Sequence, residues 1–108
     1  MNAFTIVYLQ ELCSDLDNIE ITQHTIIRFQ ERGIQLNDVL SAINNGEIIE
    51  DYPDDYPFPS CLILGPSSMR HSLHVVCGSG NKKLWVITAY FPSTDKWESD
   101  FKTRKAAE

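Results

Sequence analysis

Val39-Leu40-Ser41-Ala42-Ile43-Asn44-Asn45-Gly46-Glu47-Ile48-Ile49-Glu50-Asp51-Tyr52 is the stretch in which the chain changes its period. Before Gly46, the apolar residues Val39, Leu40 and Ile43 recur at helical spacing, and Asn37 and Gly46 bracket them as cap residues. After Gly46, short β-rich runs alternate with turn residues, the pattern of an antiparallel sheet. Reading upstream, Thr22 is an N-cap for a helix through Glu31 or Arg32, and Gly33 suits the left-handed position that ends it. Ala3 to Leu16 carries Phe4, Val7, Tyr8, Leu12 and Leu16 at helical spacing without Gly or Pro, which predicts an amphipathic first helix. Reading downstream, the predicted strands are Ile48 to Tyr52, Cys61 to Leu64, Ser72 to Cys77 and Leu84 to Phe91. Pro53 to Ser60, Gly65 to Ser68 and Gly78-Ser79-Gly80-Asn81 separate them as turns. A final run from Thr94 or Asp95, with Trp97, Phe101 and Arg104, returns to helical spacing. The expected fold class is α+β: N-terminal helices on one face of a four-stranded antiparallel meander, closed by a short C-terminal helix.

With 108 residues, 43% of them hydrophobic, the chain has the size of one domain able to bury an ordinary core without staples. No apolar run reaches the 18 or so residues of a membrane span and no secretory leader is visible, so a cytoplasmic protein is expected. Cys13, Cys61 and Cys77 are odd in number and widely spaced without a C-x-x-C, which predicts buried small hydrophobes rather than disulfides or a zinc site. The formal charge is −6, which by itself argues against a nucleic-acid partner. The acids are concentrated, however. Glu47, Glu50, Asp51, Asp54 and Asp55 crowd one segment, Glu11, Asp15 and Asp17 another, and every Lys and Arg lies outside both. A locally basic surface is compatible with the acidic total.

Three groups of residues carry candidate chemistry. At 100° per residue, His24, Arg28 and Arg32 fall within an arc of roughly 80° on the second helix, with Ile26 and Phe29 opposite. Two guanidiniums in line with an imidazole suit the grip on a phosphate and a nearby proton transfer; pairing with neighbouring acids is the plainer reading. His74 stands mid-strand, with Ser72 and Val76 on its face and Leu73, Val75 and Cys77 on the other. It is either a satisfied core histidine or a member of a site built on the sheet. Thr88 and Tyr90 share a face of the last strand and can stand beside His74, although which faces pair is not readable. No histidine pair, HExxH or calcium-loop pattern suggests a metal, and Gly78 and Gly80 do not precede a helix, so no nucleotide cofactor is implied.

The order of landmarks resembles a bacterial family of domains of unknown function, DUF4258. The residues carrying it are Thr22-Gln23-His24, Arg28, Glu31-Arg32-Gly33-Ile34, Asp38-Val39, Asn45 to Ile49, Asp54 to Pro57, Ser60 to Gly65, Leu73 to Val76, Ile87 to Pro92 and Trp97-Glu98. The resemblance covers about Ile21 to Arg104 and leaves residues 1–20 as an N-terminal helical extension. It implies kinship with the compact α+β toxin ribonucleases of RelE, BrnT and MqsR type, with a barnase-like architecture by analogy and an antitoxin partner, of zinc-finger type in some pairs. The residues it implies for catalysis are His24, Arg28, Arg32, His74 and Tyr90. On this basis the expected activity is metal-independent RNA cleavage by the ribose 2′-hydroxyl, leaving a 2′,3′-cyclic phosphate, with mRNA or ribosome-associated RNA as substrate. Two rivals remain: a noncatalytic protein-binding module, and an immunity-type protein whose acidic Glu47 to Asp55 segment mimics RNA.

Overall fold

The computed structural model describes residues 5–106. Its helices are α1 (Ile6–Cys13), α2 (Gln23–Arg32) and α3 (Leu36–Asn45), with a 3-10 turn at Leu16–Asn18. Its strands are β1 (Ile19–Ile21), β2 (Glu47–Tyr52), β3 (Ser60–Pro66), β4 (Ser72–Gly80) and β5 (Lys83–Tyr90), arranged in the order β1-β5-β4-β3-β2. The α+β class holds, but the sheet has five strands and is mixed, because β1 pairs in parallel with Leu84–Val86 of β5. Three residues between two helical segments are too few to show an alternation, so β1 leaves no periodic trace.

Local chemistry sets the helix ends. The Thr22 hydroxyl accepts from the Thr25 N–H at 3.2 Å, and Gly33 closes α2 at φ +68. For α3 the N-cap is Gln35 rather than Asn37, since Asp38 takes the Gln35 N–H at 2.8 Å. Gly46 ends α3 in extended rather than left-handed backbone. What demands glycine there is proximity: a Cβ would fall 2.2 Å from the Ala42 carbonyl oxygen. In the first helix, Ala3 and Phe4 lie outside the described residues, and α1 stops at Cys13 instead of Leu16. Asp15 then captures the Asp17 N–H and starts the 3-10 turn.

The helices α1 and α3 lie on one face of the sheet. Leu9, Leu12, Val39, Ala42 and Ile43 pack there on Ile63, Leu73, Val75, Leu84, Val86 and Ala89. The N-terminal segment is therefore part of the core rather than an appendage. Gln10 ties it to the Ile43 and Asn44 carbonyls at 3.1 and 3.2 Å. All three cysteines are free and buried. The β4–β5 hairpin turns at Asn81 and Lys82, both with positive φ, one residue beyond the glycines expected to make it. Gly78 and Gly80 belong to β4 itself.

Two departures matter for the site. The first is a bulge in β5: Val76 pairs with Thr88 but Cys77 with Val86, so Ile87 is an extra residue. Strict alternation puts Tyr90 on the face of Leu84 and Val86; the bulge turns it to the outer face, opposite His74. The second is the C-terminal segment, which is no helix. Trp97 and Arg104 form an isolated antiparallel bridge, and the Asp100 carboxylate accepts from the Lys102 and Thr103 N–H groups at 2.9 and 3.0 Å. A side chain that competes so well for backbone donors favours a turn over a helix. Residues 93–105 thus form an irregular strap.

At Gly65 a Cβ would lie 2.1 Å from the Ala42 carbonyl oxygen, so α3 crosses β3 with no room for a side chain. Gly65→Ala is therefore expected to cost about 1–3 kcal/mol or more, measured as a lowered urea midpoint; an unchanged midpoint would contradict this contact.

Candidate functional site

The outer face of the sheet, away from α1 and α3, gathers Glu50 and Tyr52 of β2, Leu62 of β3, His74 of β4 and Tyr90 of β5 under the strap. His74 is fully buried. Its Nε2 lies 2.7 Å from the Phe101 carbonyl oxygen and its Nδ1 3.3 Å from the Tyr90 hydroxyl. A carbonyl only accepts, so Nε2 carries the proton and Nδ1 accepts from Tyr90. The Trp97 ring meets the imidazole edge to face at 4.5 Å between centroids. Burial depresses the basicity of His74, opposed by the Phe101 carbonyl and the nearby Glu50 charge. Burial likewise pushes the Tyr90 phenol up, so it keeps its proton.

The strap is clamped beside this pair. Arg104 reaches Glu50 through Nε and Nη2 at 2.8 and 3.0 Å, and its guanidinium sits 4.5 Å from the Trp97 ring centre. This pairing holds the Glu50 carboxyl below its usual range, and burial with the Glu50 hydrogen bond pushes the Tyr52 phenol up to about 12. Lys102 meets Glu47 at 2.9 Å. Two of the five clustered acids are thus occupied by the chain's own cations, which weakens their use as an RNA mimic.

Tyr90 lines a cleft of about 420 Å³ with Phe91, Pro92, Ser93, Lys96, Trp97 and Arg104. Phe91 and Pro92 also wall a second cavity of about 440 Å³, together with His71, Ser72 and Phe101. Exposed aromatic surface, Lys96, which has no acidic partner among the described residues, and the exposed imidazole of His71 therefore meet along one rim. His71, Lys96 and Phe91 carry no mark in the sequence, since nothing in their spacing foretells a rim made by folding the strap back.

The predicted residues are only partly brought together. His74 and Tyr90 are in direct contact. Arg32 arrives from α2, donating to the Ala89 carbonyl at 2.8 Å and lying 3.2 Å from the Thr88 hydroxyl. Thr25 and Phe29 are the buried stripe of α2, and Arg32 continues it one turn further, so it is drawn off the His24–Arg28 line. Arg28 pairs with Glu31 at 3.6 Å in solvent, and Ile26, on the side opposite the His24–Arg28 line, is 43% exposed. His24, Arg28 and Arg32 are absent from the lining of the Tyr90 cleft. The Thr25 hydroxyl and Arg32 instead cap the Ile87 and Ala89 carbonyls, where β5 runs past the end of β1. That need for backbone partners accounts for Thr25 and Arg32, though not for His24 and Arg28.

No cluster of three or more candidate metal ligands occurs among the described residues, and none of their helices is long and apolar enough to cross a membrane. The site sets a cleft-lining phenol against a buried imidazole on an α+β scaffold. The chain belongs to the family described as a domain of unknown function, DUF4258, whose model matches residues 21–91. The match ends at Phe91, before the strap with Trp97 and Glu98. No curated protein and no solved structure matches the chain.

Because the fold favours neutral His74, the unfolded chain takes up a proton first as pH falls through about 6.5. Stability from this group is complete above that pH and declines below it, down to the depressed folded value; the Glu50 and Asp38 carboxylates add losses only in the more acidic carboxylate range. An NMR titration of the His74 imidazole should show a midpoint below 6.5 in the folded protein; a midpoint at or above it contradicts the sealed, neutral ring.

Proposed function

We propose that the protein acts on RNA as a small metal-independent endoribonuclease, the toxin member of a toxin–antitoxin pair, with the Tyr90 cleft as its site. The observation that carries this reading is the Tyr90 hydroxyl, which belongs to a cleft wall and rests on Nδ1 of a buried neutral imidazole. In the reaction the phenol oxygen takes the proton of a ribose 2′-hydroxyl while passing its own proton to Nδ1 of His74. The 2′-oxygen bonds to the adjacent phosphorus and the bond to the 5′-oxygen breaks, giving a 2′,3′-cyclic phosphate and a 5′-hydroxyl. The imidazolium so formed keeps its Nε2–H on the Phe101 carbonyl and faces the Glu50 charge, both of which favour it. Lys96 faces the phosphate, His71 is the exposed imidazole able to protonate the 5′-oxygen, and Phe91 offers a ring for a base to stack on. Compared with the sequence reading, His74 moves from direct contact with substrate to a positioning and relay role, because nothing outside can touch it. Arg32 fixes the β5 backbone at Ala89, the residue before Tyr90, and His24 and Arg28 are left to long-range attraction.

One observation favours a second reading, a noncatalytic protein-binding module: the guanidinium nearest the cleft, Arg104, is already paired with Glu50. Purified protein should cut single-stranded RNA in EDTA, and Tyr90→Phe should slow cutting about 10²–10⁴-fold while leaving RNA binding and the melting temperature near wild type. RNA left intact at stoichiometric protein would hand the case to the binding module; equal rates for wild type and Tyr90→Phe would remove the relay.

A further inference from the structure

A second feature occupies the same outer face, about 15 Å along β5 from Tyr90. Tyr56, Pro57, Phe58, Gly78, Trp85 and Ile87 line an almost wholly apolar slot of about 150 Å³. An engineered core cavity of about 150 Å³ accepts a benzene ring, so this slot has room for one aromatic side chain. Two glycines of β4 make that shape possible. A Cβ at Gly80 would fall 2.1 Å from the Phe58 ring, which therefore lies against bare backbone, and a Cβ at Gly78 would intrude 3.8 Å from Ile87 and 2.9 Å from the Pro59 carbonyl. Phe58 and Trp85 meet with ring centres 6.0 Å apart, while Tyr56 is 92% exposed. Trp85 also holds the one buried side-chain donor without a partner among the described residues, its indole N–H.

The rim is acidic. Asp55 is anchored through one oxygen to the Ser60 hydroxyl at 2.6 Å, and Ser60 pairs with Gly78, so that carboxylate stands about one strand spacing from the slot floor. Asp54 precedes it in the exposed turn, whereas Asp51 pairs with core-facing Cys61 and so belongs to the other face of the sheet. Unlike Glu47 and Glu50, Asp54 and Asp55 have no cationic partner among the described residues.

We propose that slot and rim together are the docking site for a basic segment of a protein partner, which seats one aromatic side chain against Phe58 and Trp85 and sets Lys or Arg residues beside Asp54 and Asp55. Charge selects this occupant over RNA, whose phosphates would face the same carboxylates. A partner held here can extend along the outer face of β5 toward the Tyr90 cleft. The site stands whether or not that cleft cuts RNA.

The test is an NMR titration of the full chain with the synthetic peptide Lys-Arg-Phe-Lys-Arg, reading the Trp85 indole resonance, which Trp85→Phe separates from that of Trp97. The expected result is a saturable shift with this peptide and none when its Phe is replaced by Ser. Tyr56→Ser and Asp54→Lys, both at exposed positions, should each weaken binding about tenfold, while Lys96→Ala at the cleft leaves it unchanged. No shift at millimolar peptide, an equal response to Glu-Asp-Phe-Glu-Asp, or a stronger response to a single-stranded RNA oligonucleotide would each overturn the proposal.

Discussion

The 2.7 Å hydrogen bond from His74 to the Phe101 carbonyl joins the regular part of the molecule to its irregular end. A buried donor and a strap carbonyl each need a partner away from water, and each is the other's. Once this bond is in place, Trp97 is set against the imidazole, Arg104 reaches Glu50, and Tyr90 finds its acceptor on the remaining ring nitrogen. Without it the outer face would be an open sheet surface and the Tyr90 cleft would lose the wall that Trp97 and Arg104 provide.

Whether an acid–base site can exist here depends equally on one extra residue. Ile87 shifts the phase of β5, so that Ala89 faces the core and Tyr90 faces His74. The bulge leaves backbone carbonyls past the end of β1, and α2 supplies their partners through Thr25 and Arg32. The polar helix and the phase of the strand are therefore one arrangement, in which Arg32, one of the residues that look made for phosphate, is first of all a structural cap.

Much of this architecture was legible from local chemistry. Thr22 and Gly33 marked α2 because capping is decided within four residues, and the alternation of β4 correctly put His74 opposite Leu73 and Val75. What escaped the sequence was long-range. The bulge at Ile87 has no glycine or proline to announce it, β1 exists only because β5 is there to receive it, and the strap follows Asp100 rather than the helical spacing of Trp97, Phe101 and Arg104. The site was half visible for the same reason. His74 with Tyr90 could be suspected from strand pattern, whereas the rim of His71, Phe91 and Lys96 forms only when residues twenty or more apart are folded together.

The two margins of the sheet are treated differently. On the β5 side, β1 and then α2 occupy the free backbone groups; on the other side β2 is left bare, broken by a register shift between Ile48 and Glu50 and carrying Asp51 in its pairing register. An uncovered margin invites strands from another copy, and like charge combined with an irregular ladder discourages them. Two molecules approaching margin to margin would meet an interrupted ladder and the Asp51 carboxylate of each, a combination that disfavours growth of one continuous sheet through both.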